Sequence, residues 1–137
     1  MWKLWKSARA AREFVESSRR GDGTYTLDWP PVHGRARNSS RGAARAVARL
    51  RVAERLSVGF LDPVEDALFI TAGLRGLGYP ASFHLGRETA PVVAPGGFYA
   101  WAQCGGAVLT TSLPVREEYT EVLRTAGEET AGREAAW

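Results

Sequence analysis

The run from Asp62 to Pro80 constrains this chain more than any other stretch. Asp62-Pro63-Val64-Glu65 has the form of a helix start. An N-cap acid comes first, then a proline at the first helical position, where a missing N–H costs nothing, then a glutamate at the third. Through about Arg75 the segment is apolar on most sides, with Ala67, Leu68, Phe69, Ile70, Ala72 and Leu74. Such a helix has no face to offer water, which predicts a central, buried helix around which the rest must pack. Gly76 and Gly78 end it, and Pro80 blocks continuation.

Two amphipathic helices are expected before it. Residues 2–20 place Leu4, Ala8, Ala11 and Val15 three or four apart. Trp2, Trp5 and Phe14 add an aromatic stripe suited either to packing on the domain's own core or to docking on a partner or membrane surface. Gly21-Asp22-Gly23 breaks this helix, and Trp29-Pro30-Pro31 marks 24–38 as an extended loop. Ser39 or Ser40 caps a second helix to about Leu56, with Ala43, Ala46, Val47, Leu50 and Ala53 on one face and Arg41, Arg45, Arg49 and Arg55 largely outside it.

Downstream of Pro80 the period changes. Residues 81–86, 98–103 and 107–111 have strand-like composition, and Gly105-Gly106 is a hairpin signal between the last two. A loop over 87–97 joins the first two strands. Pro114 opens an expected final helix to about Arg124, with Val115, Tyr119, Val122 and Leu123 as its apolar side, followed by a polar tail. Helices first, then a three-stranded antiparallel sheet and a closing helix, define an α+β fold with helices packed on a small antiparallel sheet.

Charge is unevenly distributed. Residues 1–55 hold thirteen Lys/Arg against five acids, a net +8, whereas 56–137 carry −5. The basic half suits an anionic partner, the acidic half of the same protein, or simply solvent. The arginines are not interleaved with aromatics and no recognition motif occurs, which argues against nucleic acid. No apolar run has the length of a membrane span, and the first residues lack a secretory h-region, so a cytoplasmic location is the default expectation. A single cysteine, Cys104, and two distant histidines, His33 and His84, make no metal pattern, and no cofactor is implied.

The central helix ends Leu74-Arg75-Gly76-Leu77-Gly78-Tyr79-Pro80-Ala81, a strand Ser82-Phe83-His84-Leu85-Gly86 follows, and then come Phe98-Tyr99-Ala100-Trp101-Ala102-Gln103 and Val108-Leu109-Thr110-Thr111. This order, over about Arg41 to Arg124, resembles the lasso-peptide B2 family of leader peptidases. There a helix beginning Cys-Leu-x-Arg-Ala-Leu leads to Leu-Arg-Arg-x-Gly-x-Pro-Ala, a strand ending in Gly, and His-Ala-Trp-Val-Glu. The resemblance implies a transglutaminase-like, papain-type core over 39–126, preceded by a basic helix and Pro-containing loop over 1–38 and followed by a tail over 127–137. It also locates what is missing: the family's nucleophilic cysteine falls at Pro63, its histidine at Tyr99 and its aspartate near Thr110 or Thr111. A proline cannot attack, and a phenol with pKa ~10 is a poor base at neutral pH. Thiolate cleavage of a peptide is therefore not expected.

Two classes of function fit such a cleft. One is a repurposed, non-proteolytic enzyme for cyclisation or isomerisation in a bacterial peptide or secondary-metabolite pathway. Its acid/base groups would be Glu65 or Asp66 with Tyr99 as hydrogen-bond donor. Asp62, Phe98, Trp101, His84 and Thr110 would bind a small-molecule or peptide substrate. Against this, acids at a helix start complement the helix dipole in any protein, and His84 can equally decorate the sheet's outer face. The other class is an accessory protein that holds a precursor peptide along the sheet edge at 81–86, or a partner enzyme through the basic helices.

Overall fold

The computed structural model describes residues 2–21, 25–34, 37, 40–89 and 97–125. Expectations for Asp22-Gly23, for the capping side chain at Ser39 or Ser40, for the middle of the 87–97 loop and for the tail beyond 126 lie outside the described residues. In chain order the elements are α1 Trp2–Ser18, α2 Ser40–Ser57, α3 Pro63–Gly76, β1 Ser82–Glu88, β2 Phe98–Cys104, β3 Ala107–Val108, α4 Val115–Glu118 and β4 Tyr119–Thr125. The protein is α+β, with helices against one antiparallel four-stranded sheet.

Helix α3 starts as its sequence requires: the Asp62 carboxylate accepts the Glu65 N–H at 2.8 Å, and Pro63 occupies the first turn. Residues 67–75 are all buried. The two flanking helices reach α3 at its glycines. A side chain at Gly73 would lie 2.8 Å from Leu50 Cδ2 of α2, and one at Gly76 would lie 3.0 Å from Ser7 Oγ of α1. Ala8, Ala11 and Val15 of α1 join Ala43, Val47, Leu50 and Ala53 of α2 in one core with Leu68, Phe69 and Ile70. Each of the larger side chains contributes about 1.5–3 kcal/mol by leaving water.

The aromatic stripe of α1 divides. Phe14 stacks on Trp29 at 4.6 Å, and Trp29 lies 5.9 Å from Phe83 of β1, so the 25–34 loop is bound into the core. Trp2, 80% exposed, and Trp5 stay in solvent. Buried Arg75 ties the loop to the sheet, donating to the carbonyls of Pro30 (2.7 Å) and Ala81 (3.2 Å).

The strand order is β3-β2-β1-β4. Phe83 pairs with Ala102 and Leu85 with Ala100, while Leu85 also pairs with Leu123 on the other side. Cross-strand partners share a face. Phe83, Leu85, Ala100, Ala102, Cys104 and Leu123 therefore meet the helices, and all belong to that core or pack on it. Ser82, His84, Tyr99, Trp101 and Gln103 take the opposite face by alternation.

Four sequence expectations are corrected. The closing helix over 114–124 exists only as the single turn Val115–Glu118, and the chain then extends as β4. Val115, Tyr119, Val122 and Leu123 fit a helical stripe, but the residues from Tyr119 onward suit a strand equally. The unpaired backbone of β1 decides the matter, because buried N–H and C=O groups need partners. The sheet consequently has four strands rather than three, and β1 lies inside it. The edge at 81–86 that was to accept a peptide strand is already occupied by β4. The third strand is also shorter than 107–111, stopping at Val108, after which Thr110 uses its side chain instead of its backbone, accepting the Ala102 N–H at 3.1 Å. Among the described residues no helix is long and apolar enough to cross a membrane.

Candidate functional site

The residues singled out in the sequence are distributed over three places. The first is the start of α3. Asp62 is spent as its cap. Glu65 is held by both its oxygens, by Arg19 from the end of α1 (Nη2 to Oε1, 2.8 Å) and by the Tyr25 hydroxyl (3.1 Å). The Arg19 hydrogen bond is the main influence keeping the Glu65 carboxyl below the ordinary carboxylate range, against burial, which raises it; Tyr25 adds to the lowering. Burial and then the Glu65 carboxylate push the Tyr25 phenol up to about 12. Glu65 is a fastener between α1, the following loop and α3, with no proton to give at neutral pH.

The second place is the sheet face turned away from the helices. Tyr99 stacks on Tyr119 at 5.6 Å there, and Trp101 and His84 are buried beside each other. Tyr99 is thus separated by the sheet from the α3 acids with which the sequence paired it. Phe98 sits at the far end of β2 from the Thr110 contact, exposed, with the Arg87 guanidinium 6.0 Å from its ring centroid. The cleft expected from Asp62, Tyr99 and Thr110 is not assembled.

The third place does bring two expected residues together. Arg51 of α2 donates to Asp66 Oδ2 at 3.0 Å and also to the Thr110 carbonyl. Beneath them lies Glu54, 3% exposed, with Oε2 lacking a hydrogen-bond partner among the described residues. Burial chiefly, then the charge and hydrogen bond of Asp66, push the Glu54 carboxyl up to about 8, against the lowering pull of Arg51 and Arg55. Two carboxyls sharing one pocket cannot both ionise cheaply, so the deeper one keeps its proton. The site is a neutral acid, a carboxylate and a guanidinium at the junction of α2, α3 and the segment after β3.

Sequence reasoning missed Glu54, although the signal was present. It stands seven residues after Val47 and four after Leu50, on the apolar face of α2. A lone acid on a buried stripe marks either a paired or a protonated group.

The sheet's outer face holds a second polar group. His84, 1% exposed, contacts Ser82 Oγ through Nε2 at 2.7 Å and the Glu121 carboxylate through Nδ1. Its ring lies 5.8 Å from that of Trp101, whose indole N–H donates to Gln103 Oε1 at 2.8 Å. His84 does face away from the helices, yet it is buried and fully bonded. Cys104 is buried on the helix-facing side, and His33 is exposed. Among the described residues no cluster of three or more His, Cys, Asp or Glu has the arrangement of a metal site. No family model, no curated protein and no solved structure matches this chain, so the candidate site stands on its geometry alone.

Proposed function

We propose that the protein is a B2-like scaffold from which peptidase chemistry has gone, acting as a non-proteolytic enzyme of bacterial peptide or secondary-metabolite biosynthesis. The reaction class is an internal cyclisation or isomerisation, in which a proton is given and taken and no bond to water is made. The observation that carries this reading is the Glu54–Asp66 pair beside Arg51. A carboxylic acid still protonated at neutral pH, next to a carboxylate held by a guanidinium, supplies the acid and the base that such a reaction needs. Glu54 would protonate a substrate carbonyl or alkene, and Asp66 would accept the proton released elsewhere on the same molecule. The central α3 against an antiparallel sheet, with Pro63 where a thiolate would stand, supports a transglutaminase/papain-like core carrying new chemistry.

A second reading is favoured by α1. Its exposed Trp2 and Trp5 stand among exposed Lys3 and Lys6, a surface suited to docking an accessory protein on an acidic partner enzyme. One experiment separates the two. The gene is deleted in its host and restored as wild type, Glu54→Gln or Asp66→Asn, and products are compared by liquid chromatography and mass spectrometry. An isobaric precursor that accumulates in the deletion and in both variants supports the enzyme. Products restored fully by both variants exclude the carboxyl site, and an uncleaved leader-bearing peptide in the deletion alone supports the accessory role.

A further inference from the structure

The outer face of the sheet carries an arrangement that the proposed acid–base site does not use. Ser82 and His84 are two residues apart on β1, so the pleat puts them side by side, and Glu121 reaches His84 from β4. We infer that Ser82, His84 and Glu121 form a hydroxyl–imidazole–carboxylate relay, a second reactive site in which Ser82 takes an acyl group from a small ester.

The order of contacts fits that chemistry. Glu121 faces Nδ1 and fixes the ring as the tautomer that carries its proton there, leaving Nε2 to accept from Ser82 Oγ. The Ser82 hydroxyl has a weaker alternative acceptor, the Gln103 carbonyl at 3.4 Å. Trp101 lies nearly parallel to the imidazole, 8° between planes, and fixes its orientation. Arg124 donates to the other Glu121 oxygen at 3.1 Å and keeps that carboxylate in place. Burial holds His84 in its neutral, proton-accepting form.

The step balances with water as its one co-reactant. Ser82 Oγ bonds to the ester carbonyl carbon while its proton passes to His84 Nε2. The carbon–oxygen bond to the alcohol then breaks, and the alcohol leaves with that proton. Water, deprotonated by His84, releases the acid and restores Ser82. Ser82 is 4% exposed, so the test uses acyl donors no larger than a small ester.

The test uses the intact protein with diisopropyl fluorophosphate and, separately, p-nitrophenyl acetate. The expected result is one residue, Ser82, carrying a diisopropylphosphoryl group, located by mass spectrometry, and nitrophenol release that Ser82→Ala abolishes. His84→Gln is expected to slow labelling about 100-fold or more. Glu121 is a positioning residue, and Glu121→Gln is expected to move the pH profile of labelling. In the wild type, labelling should rise with pH through a midpoint below the usual histidine value of ~6.5, set by burial of His84, with Glu121 raising it and Arg124 and Arg116 lowering it. If the variants fail to fold, this wild-type profile decides. No adduct on Ser82 in the folded protein, or a rate indifferent to pH across that range, overturns the relay.

Discussion

The His84 imidazole lies parallel to the Trp101 indole, with centroids 5.8 Å apart and planes within 8°. Both rings are buried on the sheet face away from the main core, where only a neutral imidazole is cheap. Burial is the leading reason that His84 titrates below its usual value, outweighing Glu121. A group depressed on folding binds protons more readily in the unfolded chain. Its stabilising contribution is therefore complete above ~6.5 and disappears as pH falls through the folded value. Denaturant titrations from pH 7.5 to 4.5 should show this loss, and His84→Gln should flatten it.

Glu54 works with the opposite sign. Its carboxyl is raised to about 8 in the folded protein, so folding takes up a proton between the ordinary carboxylate value and that point. Stability is full at low pH and declines as pH rises toward and through 8, with a slope approaching one proton, or about 1.4 kcal/mol per pH unit. Glu54→Gln mimics the protonated acid and should abolish the decline, leaving the variant more stable than wild type at pH 9 by urea unfolding.

Gly86 has an ordinary backbone but no room. A methyl there would lie 2.7 Å from Tyr119 Cβ and 2.8 Å from Trp101 Cζ3. The neighbours are a β-carbon and a buried ring, neither able to swing aside. Gly86→Ala should destabilise the protein by about 1–3 kcal/mol and blue- or red-shift the fluorescence of Trp101. An unchanged melting temperature would contradict this packing.

Glu65→Gln should cost about 1 kcal/mol at neutral pH, the modest value being set by the half-exposed Arg19 partner. The loss should vanish in acid. Glu65 is held below the ordinary carboxylate range, so its contribution is present above that range and is lost as pH falls through the folded value. Thermal melts of both proteins at pH 7 and pH 3 check the sign.

How much of this was legible depended on whether one period explained a segment. Helix α3 was readable because Asp62, Pro63 and an all-round apolar run point to one outcome, and the buried face of α2 because Ala43 to Ala53 repeat at helical spacing. Residues 115–123 were misread because Val115, Tyr119, Val122 and Leu123 satisfy a helix while Tyr119 and the residues after it satisfy a strand. Only the bare edge of β1 chooses between them. That misreading also hid the reactive face, since Glu121 reaches His84 only from a strand. Tyr99 and the α3 acids were grouped by resemblance, and strand alternation places them on opposite sides of the sheet.

The pairing of β4 with β1 has a consequence for synthesis. When β1, β2 and β3 have been translated, the strand that borders β1 is still to be made, and residues 109–125, 17 more, are needed to complete it. Through that interval the strand from Phe83 to Leu85, with two large apolar side chains, presents unsatisfied hydrogen bonds to any passing chain. Premature termination before Tyr119 should therefore yield aggregates rather than a smaller folded unit, and slow translation of the last strand should lower the recovered yield.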